Sequence, residues 1–378
     1  MRIERIQLHT VSVPRAYATQ IALEGGGARN EVAVSTCVFI EAITSDGATG
    51  WGEISDIPLS EAKEFEAARD EIPRLLIGRD PHDLQALHTD IAEAFPYDSA
   101  RELPRLIGAG LDMTCYDLIA QAAGLPAYKL LGGVHRDRVH ISWVAFIRED
   151  LDMLREEIAE KVAQGFNAFK LKVGVDIDLD DERLAVLRET AGPQANIKID
   201  PNGGWGSDVA VQNIQRLSKH NISGVETPVT GRDAKEIATV RKQVDVPLIE
   251  HVFTAEDALQ YLKHESLDCF NIATTGSGGI WPARIIAEMA RVGGVGILLG
   301  STVEMGPGTL AQLHLAASIP NLTLPSDLVG PALYAADVLT EPLQYNESYM
   351  SVPQGIGLGG SIDRKKLQAL VNSSSPNP

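Results

Sequence analysis

Cysteine is scarce in this 378-residue chain, and its three copies exclude several schemes at once. Cys37, Cys115 and Cys269 are odd in number, far apart and set in apolar surroundings (STCVFI, DMTCYDL, LDCFNI). No CxxC pair offers zinc or redox chemistry, so buried reduced thiols are expected, as in a cytoplasmic protein. Long apolar runs are also lacking. None approaches the roughly 18 residues of a membrane span, and the opening MRIERIQLHTVSVP carries early charges and no apolar stretch of signal-peptide length. Basic charge is in deficit: 33 Lys and Arg against 51 Asp and Glu give a formal net charge of −18. An acidic surface disfavours nucleic acid and membranes as partners, while leaving a local site free to bind an anion.

What is present is enough for one large domain and a smaller one. Ile3, Ile6 and Leu8 lead into Val11 and Val13 as a first strand. After a glycine-rich loop at Gly25 to Gly27, VSTCVFIEAIT turns at Ser45-Asp46-Gly47 into ATGWGEIS, a hairpin signal. Helical patterns follow: SEAKEFEAARDEIPRLLIG, LQALHTDIAEAF and LIGAGLDMTCYDLIAQAAG, the last stopping at Gly124 with Pro126 just beyond. From about Val139 short apolar strands alternate with amphipathic helices. The strands are HISWVAF, AFKLKV, NIKIDPN, SGVETPV, PLIEHVF, LDCFNIA, GILLGST and LTLPSDL. Even βα units with no GxGxxG after the first strand favour a parallel barrel over a doubly wound sheet. The stretch after Glu341 returns to strand-like pieces that could pack back on the first module, and the closing SSSPNP reads as disordered.

The chemistry sits at strand ends. Lys170 and Lys172 are two apart on the second barrel strand, hence on one face. Asp200 ends the third strand and Glu226 the fourth, each about one βα unit further on. Any one of these has a bland explanation: a K-x-K on a solvated edge, a carboxylate as helix cap. Together, on consecutive strands, they place costly charges inside a barrel mouth. Two converging carboxylates repel unless a cation is present, and rigid oxygen donors suit Mg²⁺ or Mn²⁺. A lysine beside such a cation has its ammonium form disfavoured and can act as a base, while the metal stabilises an enolate oxygen. Abstraction of a proton α to a carboxylate is the reaction this set suits.

The order of these motifs resembles the enolase superfamily, specifically its muconate lactonizing enzyme (muconate cycloisomerase) subgroup, along nearly the whole chain. The segment Gly47 to Glu53 and the stretch Leu111 to Gly133 are similar to that family's capping domain. FKLKVG, IDPNGGW and VETP are similar to its K-x-K, D-x-N and E-x-P strands, and GSTVEMGPGTL and GIGLGG to its closing stretches. The resemblance implies a (β/α)7β-type TIM barrel over residues 131–344, with an N-terminal α+β capping domain over 1–130 completed by about 345–378. It also implies Lys172 as acid/base, Lys170 as supporting cation, Asp200 and Glu226 as metal ligands, and Asn202 and Glu304 as polar support. The resemblance further implies Mg²⁺ as the ion, a small carboxylate as the substrate and a homo-oligomer as the assembly.

Two departures matter. The fifth strand carries His251 where the family places an aspartate ligand. Either His251 is the third ligand, which would tilt preference toward Mn²⁺ or another divalent ion, or a shift brings in Glu250, or water fills the place. The sixth strand carries Ala273 where an opposing lysine is usual, so two-base racemisation is disfavoured and one-base chemistry survives. A muconate-type cycloisomerase is the leading reading. A syn-dehydratase of a hydroxy acid is the second, and a barrel that binds a ligand without turning it over is the third. Of the other histidines, His135 and His140 belong at the far end of the barrel and His314 on a helix. The triple glycine reads as a mobile loop, and the resemblance, in which loops of this region close over the substrate, implies that Glu24 and Arg29 face it.

Overall fold

The computed structural model describes residues 1–374, so residues 375–378 of the closing SSSPNP lie outside it; Ser373 and Ser374 end a helix, Arg364–Ser374. Three antiparallel strands open the chain: β1 (Ile3–Thr19), β2 (Val32–Thr44) and β3 (Thr49–Ile54), in that spatial order. The Asp-Gly turn joins β2 to β3 as expected, with Gly47 at φ 86°. The helical stretch expected over 60–78 breaks into Ala62–Ala68 and Glu71–Leu76. Pro73 explains the break, because it cannot donate to the carbonyl four residues back but fits the first turn of a new helix.

The remaining strands are β4 (Arg138–His140), β5 (Trp143–Ala145), β6 (Ala168–Lys172), β7 (Asn196–Asp200), β8 (Gly224–Glu226), β9 (Leu248–His251), β10 (Cys269–Ile272), β11 (Gly296–Leu299) and β12 (Tyr349–Ser351). Strands β5 to β11 form one curled parallel sheet in sequence order, with helices between them. The eighth stretch, LTLPSDL, does not form a continuous strand. It joins the sheet's two edges through isolated bridges, Leu322 to Ile297 and Ser326 to Ile141. Pro325 lacks a donor in the middle of it, which interrupts any regular ladder. Ile249, Cys269 and Leu298 form a small buried apolar cluster of their own. All three cysteines are buried and free. Among the described residues no helix is long and apolar enough to cross a membrane.

Close backbone approach explains the Gly50-Trp51-Gly52-Glu53 segment. Strand β3 crosses the helix Leu103–Ala123 so tightly that a Cβ at Gly52 would lie 2.1 Å from the Gly110 carbonyl oxygen. Carboxylates then tie this module to the barrel. Glu53 accepts from the backbone N–H of Met305 and of Gly308, both at 2.8 Å, at the start of the helix Gly306–Ser318. Asp112 accepts from Ile280 N at 2.6 Å, at the start of the helix Ile280–Gly293. Neither helix has a local side-chain cap, so the first module supplies both. The chain's end returns to both parts. Strand β12 pairs with β4, and Leu367 of the last helix packs with Val11, Val13 and Phe39.

Candidate active site

Register places the cluster. In the β6–β7 ladder Lys170 opposes Lys198 and Lys172 opposes Asp200, so four charged side chains of two strands share the barrel interior. Lys172 Nζ donates to Asp200 Oδ2 at 2.6 Å. Lys170 Nζ donates to Glu226 Oε1 at 3.1 Å and lies 2.8 Å from Asp327 Oδ2 and 3.7 Å from Asp200 Oδ2. All are buried, and Asp200 and Glu226 have no exposure at all. Burial opposes the charge on Lys170, but the carboxylates of Asp327, Glu226 and Asp200 outweigh it and hold the ammonium well above its ordinary range. Burial likewise pushes the Glu226 carboxyl up, and Lys170, His251 and Lys172 more than reverse this, leaving it well below the usual carboxylate range.

Asn202 orients Asp200. It sits at φ 50° just past the strand, with its N–H 2.9 Å from Asp200 Oδ1 and its Nδ2 3.5 Å from Oδ2. His251 stands beside Glu226, Nε2 to Oε1 3.2 Å. Glu250 points elsewhere: Oε1 accepts from Thr227 Oγ1 at 2.9 Å and from His251 N at 2.8 Å. Of the alternatives left open at this strand, geometry puts the imidazole, not Glu250, next to the carboxylates. Glu304 is not brought to the cluster. It is fully buried and accepts from Thr275 Oγ1 at 2.7 Å and Thr302 N at 2.9 Å, stitching the ends of β10 and β11 together. Ala273 is buried at the end of β10, so this wall offers no second amine at that position.

Several contributors were not read from sequence. Asp327, on the eighth stretch, receives Lys170, Lys198 at 2.8 Å and Ser142 Oγ at 2.7 Å. Arg183, fully buried, donates to the carbonyl oxygens of Lys172 and Phe146, both at 2.8 Å, and so fixes the end of β6. An Asp before an apolar residue and an Arg within an amphipathic helix carry no local mark of such roles.

The glycine loop folds down over the barrel mouth. Gly25 N–H bonds to Gly203 O at 2.9 Å, and Glu24 Oε1 accepts from Gly231 N at 2.8 Å. Gly25 therefore latches the loop to the segment after β7 and Glu24 latches it to the segment after β8. His135 and His140 line a pocket with Tyr349 and Leu324 at the other end of the barrel, where His140 Nε2 meets Asn167 Oδ1 at 2.7 Å. His314 is packed in its helix, stacked on Tyr128, with burial lowering its pKa to about 4.

The residues fit a divalent cation. Glu226 Oε2 and Asn202 Oδ1 are buried acceptors with no hydrogen-bond partner, beside a carboxylate that now takes its positive charge from Lys172. Among the described residues no three acidic, His or Cys side chains are already arranged to hold a metal ion; lysine ammoniums sit among the carboxylates instead.

Charged groups converging from consecutive strand ends of a parallel barrel define an enzyme site of the barrel type. The chain belongs to the enolase superfamily: residues 8–132 match the mandelate racemase / muconate lactonizing enzyme N-terminal domain, and residues 153–366 match the enolase C-terminal domain-like model. It is an enzyme of that superfamily. It is 28% identical to the N-succinyl-L-Arg/Lys racemase of Bacillus cereus, over 98% of both chains. The 2-chloromuconate cycloisomerase of Rhodococcus opacus shares its fold with a TM-score of 0.89, at 23% identity over 98% of this chain and 99% of that one. The dipeptide epimerase of Enterococcus faecalis, solved with Mg and the dipeptide L-Leu-L-Tyr, gives 0.84 at 28% identity over 96% and 100%.

Proposed function

We propose that the protein moves a proton to or from the carbon α to a substrate carboxylate through an enolate, with Lys172 as the one base, in a muconate-type cycloisomerisation. The observation that carries this reading is Lys172 Nζ at 2.6 Å from Asp200, on neighbouring strands, opposite a wall where Ala273 supplies no amine. Asp200, Glu226 and His251 would hold Mg²⁺, or Mn²⁺ given the imidazole, with Asn202 in support. When bound, that ion supplies electrophilic stabilisation of the enolate oxygens. Lys172 takes the α proton in the ring-opening direction and returns it to the same carbon in the closing direction. Lys170 keeps Glu226 and Asp327 ionised and helps hold Asp200 in place. The buried position of the pair limits water at the reacting carbon.

Relatives include racemases, epimerases and cycloisomerases. The missing second amine favours the last of these, since racemisation uses a base on each face. A panel of muconates, lactones and N-acyl amino acids, assayed with and without Mg²⁺ or Mn²⁺, tests the reading. Turnover without loss of chirality, abolished in Lys172→Ala, supports it; efficient racemisation of an N-acyl amino acid contradicts it.

A further inference from the structure

A line of contacts runs from the carboxylate cluster to two arginines. The His251 ring, next to Glu226, stacks on Phe253 at 5.7 Å and 10°. Phe253 lies against the wall that carries Ala273: a Cβ built on Gly276 would touch Ala273 Cβ and the Phe253 ring, each at 3.5 Å. Two guanidiniums then meet the Phe253 ring. Arg105, from the first turn of the helix Leu103–Ala123, has its central carbon 4.2 Å from the ring centroid. Arg232, from the loop after β8, has its own at 5.4 Å. Two like charges, one from each part of the molecule, are thus brought to one aromatic ring.

Their hydrogen bonding is incomplete. Arg105 Nε and Nη1 and Arg232 Nε are buried without a partner. Among the described residues Arg105 makes no ion pair, and Arg232 makes one, with Glu250 at 3.7 Å. Burial disfavours the charge on Arg105, and Arg232 opposes it further, while Tyr97 and Glu102 favour it. A buried donor without a hydrogen bond carries a desolvation cost that an acceptor on a ligand would relieve. Both side chains are only partly buried. Guanidiniums that present unpaired N–H donors suit a carboxylate, which can accept from both.

We infer that Arg105 and Arg232, backed by Phe253, form a second anion subsite that seats a carboxylate remote from the carbon served by Lys172. In a muconate-type substrate the group seated there is the second carboxylate. The inference rests on the proposed function for the location of the reacting carbon.

The test is isothermal titration calorimetry of the full-length, Mg²⁺-loaded protein with two matched pairs of probes. These are cis,cis-muconate against (2Z,4Z)-hexa-2,4-dienoate, and N-succinylglycine against N-butyrylglycine; each pair differs by a methyl in place of one carboxylate. At least one dicarboxylate is expected to bind ~10-fold or more tightly than its partner, about the effect of one charge-assisted bidentate contact. Arg105→Met and Arg232→Met each erase that preference while leaving the monocarboxylate's affinity in place, and Arg105→Lys recovers part of it. Equal affinity within both pairs in the wild type, or a preference that survives both Met substitutions, overturns the inference. Should Arg105→Met fail to fold, the wild-type comparison and Arg232→Met still decide. Failure of the proposed function shows elsewhere, as α-proton exchange that persists without Lys172, whatever the binding preference.

Discussion

Lys172 Nζ and Asp200 Oδ2 face each other across the β6–β7 ladder at 2.6 Å, directly paired in register. The lysine intended as base therefore rests on a carboxylate intended for the metal. Loading the site must replace one cation by another, which frees the amine as the metal takes the carboxylate. Replacing Lys172 by Ala is accordingly expected to lower α-proton exchange by about 10³-fold, within the usual range for a general base. The same variant should keep Mg²⁺ affinity or raise it, measured by calorimetry. Unchanged exchange contradicts the assignment.

Lys170 is held by three buried carboxylates, so Lys170→Met leaves them without their shared cation. Removing one partner of a buried ionic group costs roughly 3–5 kcal/mol, to be read from urea unfolding of the metal-free protein. Saturating Mg²⁺ is expected to recover part of that loss by binding the folded state alone. A metal-free variant as stable as the wild type would sink this account of Lys170.

His251 is the departure that tunes the metal. His251→Asp puts an oxygen donor where an imidazole stood, which suits a hard cation better. Mg²⁺ should bind ~10-fold more tightly to the variant, and the advantage of Mn²⁺ over Mg²⁺ should shrink. An unaltered Mn²⁺ to Mg²⁺ ratio in calorimetry would place His251 outside the ligand set.

Glu53 gives a pH signature far from the chemistry. Burial raises its pKa from 4.5 to about 7, against the hydrogen bonds from Gly308, Ser55 and Met305 that lower it. The folded state thus holds this proton more tightly than the unfolded chain. Its contribution to stability is fully present below about pH 4.5, falls as pH rises toward 7, and is flat above, a span of about 3 kcal/mol. Glu53→Gln, which cannot ionise, should remove that part of the slope in urea midpoints between pH 4.5 and 7.5. A slope unaltered by the substitution would show that Glu53 stays charged throughout.

Much of this architecture could be read from the chain because its signals are local. Alternation puts Lys170 and Lys172 on one face, strand ends one βα unit apart place Asp200 and Glu226, and the structure brings the four together. Gly50 and Gly52 likewise mark a close crossing. What stayed hidden depends on tertiary neighbours. Asp327 becomes a counter-ion only when the eighth stretch closes the barrel beside Lys170 and Lys198. Glu24, expected near the substrate, is taken up by Gly231 N–H, a backbone donor that sequence does not mark. Arg105 and Arg232 lie in separate parts of the chain and meet only at Phe253.

The most direct test of a one-base enolate site is ¹H NMR exchange of muconolactone and related carboxylates in D₂O, with Mg²⁺ present. The account predicts that the wild type exchanges only one of the two diastereotopic α hydrogens, and that Lys172→Ala exchanges neither. Exchange of both hydrogens at comparable rates, or exchange that survives in Lys172→Ala, would contradict it.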